Sequence, residues 1–328
     1  MNNFVLSICL LFSVLLCTVP NAQASQKAET PRQAIVLAAF GTTVPAALPG
    51  ILNIRESIMK KYPDTPVRIA FTSNIVRKVW QKRLADKQFL KDNPSIPEDI
   101  LHIQGPLATI ANLQDEGYRT IIVQPSHISL GEEYLDLVSY IEGLNAISTI
   151  KAKFRPFEKL VISRPAMGTV GEEHPYTADL ELIARALAAD AAAAEQQGAA
   201  LLYMAHGNTY MPSGSAYMEF VSIMNQLYPQ VKTYIALEEG FPSLDIILPQ
   251  IKAGGSRKLL LKPFMTVAGD HTINDMAGDE PESWKSILSQ KGFTVVPILK
   301  GLGEMDTFAE VFVHHLDDTA RDQGISLH

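Results

Sequence analysis

Continuous apolar runs alternate with amphipathic segments along most of this chain, and that alternation limits the possible folds more than any other feature of the sequence. The first run, AIVLAAF at 34–40, ends at Gly41 and precedes an amphipathic stretch at 49–61. An apolar run that lacks a polar residue at every second position is typical of a strand buried on both faces of a parallel sheet. The chain is therefore predicted to be an α/β protein.

The alternation of strand and helix occurs in both halves of the chain. Strands are predicted at 34–40, 67–72, 120–125 and 159–163, and again at 199–205, 231–237, 258–263 and 295–299. Helices are predicted at 49–61, 107–116, 132–144, 176–196, 216–227, 243–253, 284–290 and 306–321. Because parallel strands need helical crossovers on both faces, this pattern predicts two doubly wound domains with parallel four-stranded sheets, at residues 32–165 and 166–305.

Short motifs recur at corresponding strand ends in the two halves. Phe40-Gly41-Thr42 corresponds to His206-Gly207-Asn208, and the segment 124–133 corresponds to 262–271. Ligands of open α/β sheets bind beyond the carboxyl ends of the strands. Two such domains facing each other would enclose a cleft lined by loops from both.

The N-terminus carries a second kind of signal. The first 24 residues have no charged side chain, and an apolar run from Phe4 to Val19 precedes Ala22-Gln23-Ala24. This arrangement predicts a signal peptide at residues 1–24, cleaved after Ala24, and an exported, periplasmic protein; an uncleaved N-terminal anchor is the alternative. Both cysteines, Cys9 and Cys17, lie in this leader, so the mature chain would bind a metal through nitrogen and oxygen only.

Three polar residues of the second half, His206, Glu239 and His271, each follow an apolar run beside a glycine-containing loop. They lie 33 residues (206 to 239) and 32 residues (239 to 271) apart, about one strand-helix-strand repeat, so a parallel sheet would bring them to one edge. Buried imidazoles and a buried carboxylate are costly unless they coordinate an ion or pair together. The three are predicted to be catalytic and metal-binding, with Co²⁺, Ni²⁺, Fe²⁺ or Zn²⁺ as suitable ions.

His127 is the candidate of the first half, because it leaves a predicted strand and enters a helix that begins with Glu132 and Glu133. It is expected to face the cleft, and the two glutamates alternatively complement the helix dipole. The remaining histidines of the chain are interpreted as structural or surface residues: His102, His174, His314, His315 and His328. The formal net charge of −7 gives no indication of nucleic-acid binding.

Several of these segments together resemble the class II tetrapyrrole chelatases, and within them the sirohydrochlorin cobaltochelatases of the anaerobic cobalamin route. The resemblance covers nearly all of the mature chain and rests on AAFGTT at 38–43, VQPSHISLGEEY at 123–134, MAHGN at 204–208, LEEGFPSLD at 237–245 and KPFMTVAGDHTINDMAGDEPESW at 262–284. It implies the ferrochelatase-like fold, with a final helix at 306–328 that packs back on the first domain. The family's two metal-site histidines and its glutamate correspond to His206, His271 and Glu239.

The function implied by the resemblance is insertion of Co²⁺ into sirohydrochlorin or a related tetrapyrrole without ATP, with Fe²⁺, Ni²⁺ and Zn²⁺ as other candidate ions. His127 would contact the tetrapyrrole. The alternative is an exported carrier of a metal or of a tetrapyrrole such as haem, with His127 or His102 as an axial ligand. No nucleic-acid partner is expected, and a homo-oligomer is left open. The leader departs from the family, in which corrin synthesis is normally cytoplasmic.

Overall fold

The computed structural model describes residues 32–210 and 213–328. The predicted signal peptide at 1–24 lies outside the described residues. Residues Pro31–His328 belong to one compact unit. Within the described part of the chain, no helix is both long enough and apolar enough to cross a membrane.

Two parallel four-stranded sheets form the centre of the fold, which confirms the predicted α/β class. The strands are β1 Arg32–Ala39, β2 Val67–Phe71, β3 Tyr118–Pro125, β4 Lys159–Ile162, β5 Ala200–Gly207, β6 Thr233–Glu239, β7 Lys258–Pro263 and β8 Thr294–Pro297. The strand orders are β2-β1-β3-β4 and β6-β5-β7-β8. When the strands of each sheet are numbered one to four along the chain, the two sheets have the same order, 2-1-3-4. The register repeats as well, since Ala38 pairs with Pro125 in the first sheet and Met204 with Pro263 in the second.

Helices cover the sheets. They are α1 Pro49–Lys61, α2 Asn74–Leu84, α3 Lys87–Asp92, α4 Glu98–Leu101, α5 Pro106–Asp115, α6 Glu132–Asn145, α7 Tyr176–Ala186, α8 Ala188–Gln196, α9 Gly214–Leu227, α10 Leu244–Ala253, α11 Trp284–Gln290 and α12 Asp306–Asp322. The single helix predicted at 176–196 is wrong, because the chain breaks at Leu187 into α7 and α8. Three residues after the break, the buried Asp190 carboxylate accepts hydrogen bonds from Lys262 Nζ at 2.6 and 2.8 Å.

The largest hydrophobic cluster of the described residues spans both halves of the chain. Leu37 of β1, Tyr203 of β5 and Phe312 of α12 all belong to a single cluster of buried side chains. Helix α12 contacts α1 and β3, and the buried His315 ring lies 3.0 Å from Asp179 Oδ1. Two smaller clusters of buried side chains each lie within one half, so the core divides only in part, and the division at residue 165 stays a prediction.

Glycines bring the backbone of the first half directly against the loop that follows β7. A Cβ on Gly50 of α1 would lie 2.6 Å from the carbonyl oxygen of Thr266, and one on Gly303 would lie 2.3 Å from the carbonyl oxygen of Gly50. Only a residue without a side chain permits such an approach. Gly303 N donates to Thr266 O over 3.0 Å, and Asn53 Nδ2 donates to Gly303 O over the same distance. The loop that leads to His271 is therefore packed on α1.

Candidate active site

His206 is the second-last residue of β5, a central strand of the second sheet, and it lines the cleft. Gly207 follows it with φ +74°, a conformation that residues with a side chain rarely adopt. A Cβ at Gly207 would also lie 2.0 Å from the carbonyl oxygen of Glu239. Because Gly207 pairs with Glu239 in the parallel register, this glycine holds the ends of β5 and β6 close together.

His271 meets His206 across the edge of the second sheet. It immediately precedes a π-helical turn at Thr272–Met276, reached by the loop after β7. The two imidazole rings have their centroids 5.0 Å apart and their planes at 86°. The sequence prediction that these two histidines come together at one edge agrees with this placement.

In each ring Nδ1 makes a hydrogen bond that orients the imidazole, and Nε2 is the nitrogen that could bind a ligand. His206 Nδ1 lies 2.9 Å from the Gly207 carbonyl oxygen, and His271 Nδ1 lies 2.6 Å from Asp275 Oδ2. Since a carbonyl and an ionised carboxylate only accept, both Nδ1 atoms carry the hydrogen in the neutral rings. Both Nε2 atoms then present lone pairs, as metal-binding imidazoles with an oriented second nitrogen do.

The neighbouring carboxylates Glu238 and Glu239 have different surroundings. Trp284 Nε1 donates to Glu238 Oε2 over 2.9 Å, which holds Glu238 on α11. Glu239 ends β6 beside Gly240 and opposite Gly207, one residue from His206. Because Glu238 is held by Trp284, Glu239 stays the candidate carboxylate of the two, although its side chain does not line the cleft.

The expectation that these three side chains are buried is wrong. Glu239 is exposed, His271 has 49 % of its side chain exposed, and His206 is half-buried. The desolvation argument for the site therefore does not apply, because their strand ends open to solvent. Their donor atoms also do not form a closed set within 4.8 Å, a spacing that the described residues reach in one group only, elsewhere in the fold. The structure pairs the two rings, and Glu239 is related to them by the backbone register of β5 and β6.

His127 lines the same cleft as His206 and His271. The residue is half-buried, but both ring nitrogens are shielded from solvent and have no hydrogen-bond partner among the described residues. Burial lowers the pKa of His127 to about 4, because the charged ring would lose its hydration. His127 is therefore neutral at ordinary pH, and it lines the cleft with two ring nitrogens that have no partner among the described residues.

The cleft has a volume of about 370 Å³ and is lined by loops from both halves. Hydrogen bonds cross between these loops: Thr43 Oγ1 donates to Asp270 Oδ2 over 2.7 Å, and Thr266 Oγ1 donates to the Ser126 carbonyl over 2.6 Å. The first loop is in turn fixed to α2, where Trp80 Nε1 donates to the Thr42 carbonyl over 2.8 Å. The loops around the cleft are consequently held together by hydrogen bonds.

Two further residues of the site were not singled out by the sequence. Asp275 lies in the acidic loop at 270–282, four residues after His271, which is the spacing at which side chains meet on a helical turn. Tyr217 lines the cleft from α9, and burial raises the pKa of its phenol to about 12, so it stays protonated. Glu133, at the start of α6, also lines the cleft.

Comparison with known proteins identifies the group to which these features belong. The family model described as cobalt chelatase (CbiK) matches residues 33–321. The sirohydrochlorin cobaltochelatase CbiKC of Nitratidesulfovibrio vulgaris is 30% identical over 91% of this chain and 94% of its own length. The sirohydrochlorin cobaltochelatase of Salmonella typhimurium is 25% identical over 87% of this chain and 95% of its own length.

A solved structure gives the same fold. The sirohydrochlorin chelatase SirB of Bacillus subtilis subspecies spizizenii, in complex with cobalt, aligns with a TM-score of 0.53 at 12% identity, over 89% of this chain and 96% of that one. At this identity the likeness concerns the fold alone.

Proposed function

The chain belongs to the cobalt chelatase (CbiK) family, and we propose from this premise that it inserts Co²⁺ into sirohydrochlorin without ATP. The observation that carries the proposal is the pair of imidazoles, His206 and His271, whose rings lie 5.0 Å apart with both Nε2 atoms directed away from their orienting hydrogen bonds. Two such nitrogens with a nearby carboxylate suit a borderline divalent ion that must be bound and then released.

The reaction exchanges two pyrrole N–H protons for one divalent ion. A planar macrocycle must turn a nitrogen lone pair out of its plane to receive the ion, so a cleft that holds the ring bent lowers the barrier more than it stabilises the flat substrate. We assign His206 and His271 to presenting the ion and Glu239 to accepting protons. The exposure of Glu239 supports this role, because a solvated carboxylate passes its proton to water.

We assign His127 to contact with the tetrapyrrole. Its neutral ring and its unpartnered nitrogens support contact with the macrocycle itself rather than with the carboxylates around it. The same features would suit an axial bond to haem, which is the observation that favours the carrier alternative. A Soret band in the purified protein that survives dialysis would support carriage, and a colourless protein that turns over added sirohydrochlorin would support the enzyme.

We further propose that the protein acts outside the cytoplasm, on the strength of the apolar, uncharged segment that ends at Ala22-Gln23-Ala24. Fractionation of the native cells tests this: the mature chain should appear in the periplasmic fraction with its N-terminus at Ser25. Recovery of a chain that begins at Met1 in the cytoplasm would contradict it.

The activity itself is tested by following the absorbance change of sirohydrochlorin with Co²⁺, Fe²⁺, Ni²⁺ and Zn²⁺ in turn. Co²⁺ should give the highest kcat/KM. His206→Ala and His271→Ala should each lower the rate by at least about 100-fold, as expected for loss of a metal-presenting or proton-accepting group. His102→Ala, which removes an exposed histidine outside the cleft, is the matched control. Wild-type rates in both site variants would remove these residues from the mechanism.

A further inference from the structure

A second group of metal-ligand side chains lies outside the cleft, where the segment between β4 and α7 meets the end of α12. Glu173, His174 and Asp322 each offer one ligand atom, and these atoms all lie within 4.8 Å of one another. In the described ranges 32–210 and 213–328 this is the one group of three that does so. None of its members lines the cleft.

The centre of the group is the ring of His174. Its Nε2 lies 2.6 Å from Asp322 Oδ2, so an imidazole and a carboxylate that are 148 residues apart in sequence share one position in space. Both side chains are partly shielded, with 25 % and 22 % of their surfaces exposed. Partial shielding reduces the competition from water and strengthens the binding of a cation by these donors.

The other nitrogen of the same ring faces a carboxylate that is already fixed. His174 Nδ1 lies 3.5 Å from Asp318 Oδ2, and Asp318 has only 4 % of its side chain exposed. Arg164 holds that carboxylate from 2.7 Å, and Arg321 holds its other oxygen. Metal-binding histidines typically direct their second nitrogen at a carboxylate that fixes the ring, and Asp318 has the position of such an orienting group.

The charges of the two terminal donors are not balanced by the protein. No lysine or arginine of the described chain lies within 4.0 Å of Glu173, and Asp322 has only Arg321, at 3.9 Å. Asp318, by contrast, is neutralised by two guanidinium groups. A divalent ion between Glu173 and Asp322 would remove their mutual repulsion, which an uncharged ligand could not do.

We propose that Glu173, His174 and Asp322 form a second divalent-cation site, distinct from the cleft, which takes a borderline ion such as Zn²⁺ or Co²⁺. One imidazole and two carboxylates match the nitrogen and oxygen donors that these ions accept, and three protein ligands leave a fourth position for water. Such an ion links the segment before α7 to the last residue of α12. It would give His174 a role beyond that of a structural or surface histidine.

The test uses the His206→Ala/His271→Ala double variant, in which the cleft histidines are absent. Equilibrium dialysis against Zn²⁺ should give one bound equivalent for this variant, and addition of His174→Ala should remove it. Addition of His102→Ala, an exposed histidine elsewhere, should leave the equivalent in place. Because binding to the folded state alone raises stability, Zn²⁺ should also raise the Tm of the double variant and not that of the His174→Ala triple variant.

A milder variant covers the case in which His174→Ala does not fold. Glu173 is exposed, so Glu173→Gln in the double variant should keep the fold, as judged by circular dichroism, and weaken Zn²⁺ binding at least about tenfold. Absence of bound Zn²⁺ in the double variant would overturn the proposal, and so would binding that persists unchanged after both His174→Ala and Glu173→Gln. In either case His174 is an ordinary ion-pair partner of Asp318 and Asp322. Neither result depends on chelatase activity.

Discussion

Thr43 and Asp270 are 227 residues apart in sequence, yet the Thr43 hydroxyl donates a hydrogen bond to Asp270 Oδ2 over 2.7 Å. Asp270 is the residue before His271, so a contact made by the first half of the chain holds the backbone next to a predicted metal ligand. Arg83 strengthens the same corner, since it donates to the Thr43 carbonyl. The position of His271 thus depends on both halves.

Thr43→Val should remove the hydrogen bond to Asp270 while keeping the shape of the side chain. Because the bond is near the surface, the free energy of unfolding should fall by no more than about 1.5 kcal/mol. The rate of cobalt insertion should fall by up to about tenfold, since small displacements of reacting groups are costly. Thr149→Val, which removes a local hydroxyl bond to the Lys151 carbonyl, is the matched control for stability and kinetics. Equal rates in the two variants would count against a positioning role for Thr43.

Asp275→Ala should affect metal use rather than folding. The carboxylate orients the His271 ring through Nδ1, and loss of such an orienting group typically weakens metal affinity by about 10- to 100-fold. The KM for Co²⁺ should therefore rise in this range, with a smaller change in kcat, in steady-state assays at varied Co²⁺. Asp279→Ala is a suitable control, because Asp279 lies in the same acidic loop and pairs with Lys285 instead. If both variants raised the KM alike, general charge rather than ring orientation would be responsible.

His127 should make stability depend on pH. Its folded pKa of about 4 lies below the ordinary value of 6.5, so the unfolded chain binds a proton that the folded chain rejects between these values. The free energy of unfolding should fall by about 3 kcal/mol as the pH drops from about 6.5 to about 4, and should not fall further on this account at lower pH.

Urea denaturation of wild type and His127→Leu across this pH range measures the effect. In His127→Leu the free energy of unfolding should depend less on pH between about 4 and about 6.5, while His102→Leu should keep the wild-type dependence. An identical pH dependence in wild type and His127→Leu would mean that the ring is hydrated in the folded protein.

Gly207→Ala tests the junction of β5 and β6. The added Cβ would meet the Glu239 carbonyl at 2.0 Å, and a φ of +74° is unfavourable for alanine. The free energy of unfolding should fall by at least about 2 kcal/mol, and activity should fall with it because Glu239 must move. Gly143→Ala in α6, where a Cβ meets nothing within 4 Å, should instead be neutral or stabilise by up to about 1 kcal/mol. Thermal or urea unfolding of both variants checks the contrast.

The sequence predicted those features that one buried strand can specify by itself. The run at 34–40 has no polar side chain to turn outward, so a strand covered on both faces was the expected outcome, and β1 has that burial. The meeting of His206 and His271 followed in the same way, because parallel strands end at a common edge.

Features that depend on contacts between distant segments were not predictable. The break at Leu187 lies three residues before Asp190 of α8, whose partner Lys262 belongs to the distant strand β7. The exposure of Glu239 depends on how far β6 extends past its apolar part, and the assignment of Glu238 to Trp284 depends on where α11 packs. Helices α2, α3 and α4 were missed because they bury few side chains: Val76 and Trp80 in α2, none in α3 and Ile100 in α4.

The contact of Gly50 with Thr266 and Gly303 has a mechanical consequence. With carbonyl oxygens where side chains would otherwise lie, α1 and the loop after β7 have no layer of side chains between them that could slide or repack. A hinge motion that opened the cleft would have to separate these backbone contacts and also divide the hydrophobic cluster that spans both halves. The cleft would therefore keep a nearly fixed shape when a tetrapyrrole binds. The bending needed for metal insertion would occur in the macrocycle, without a matching movement of the protein.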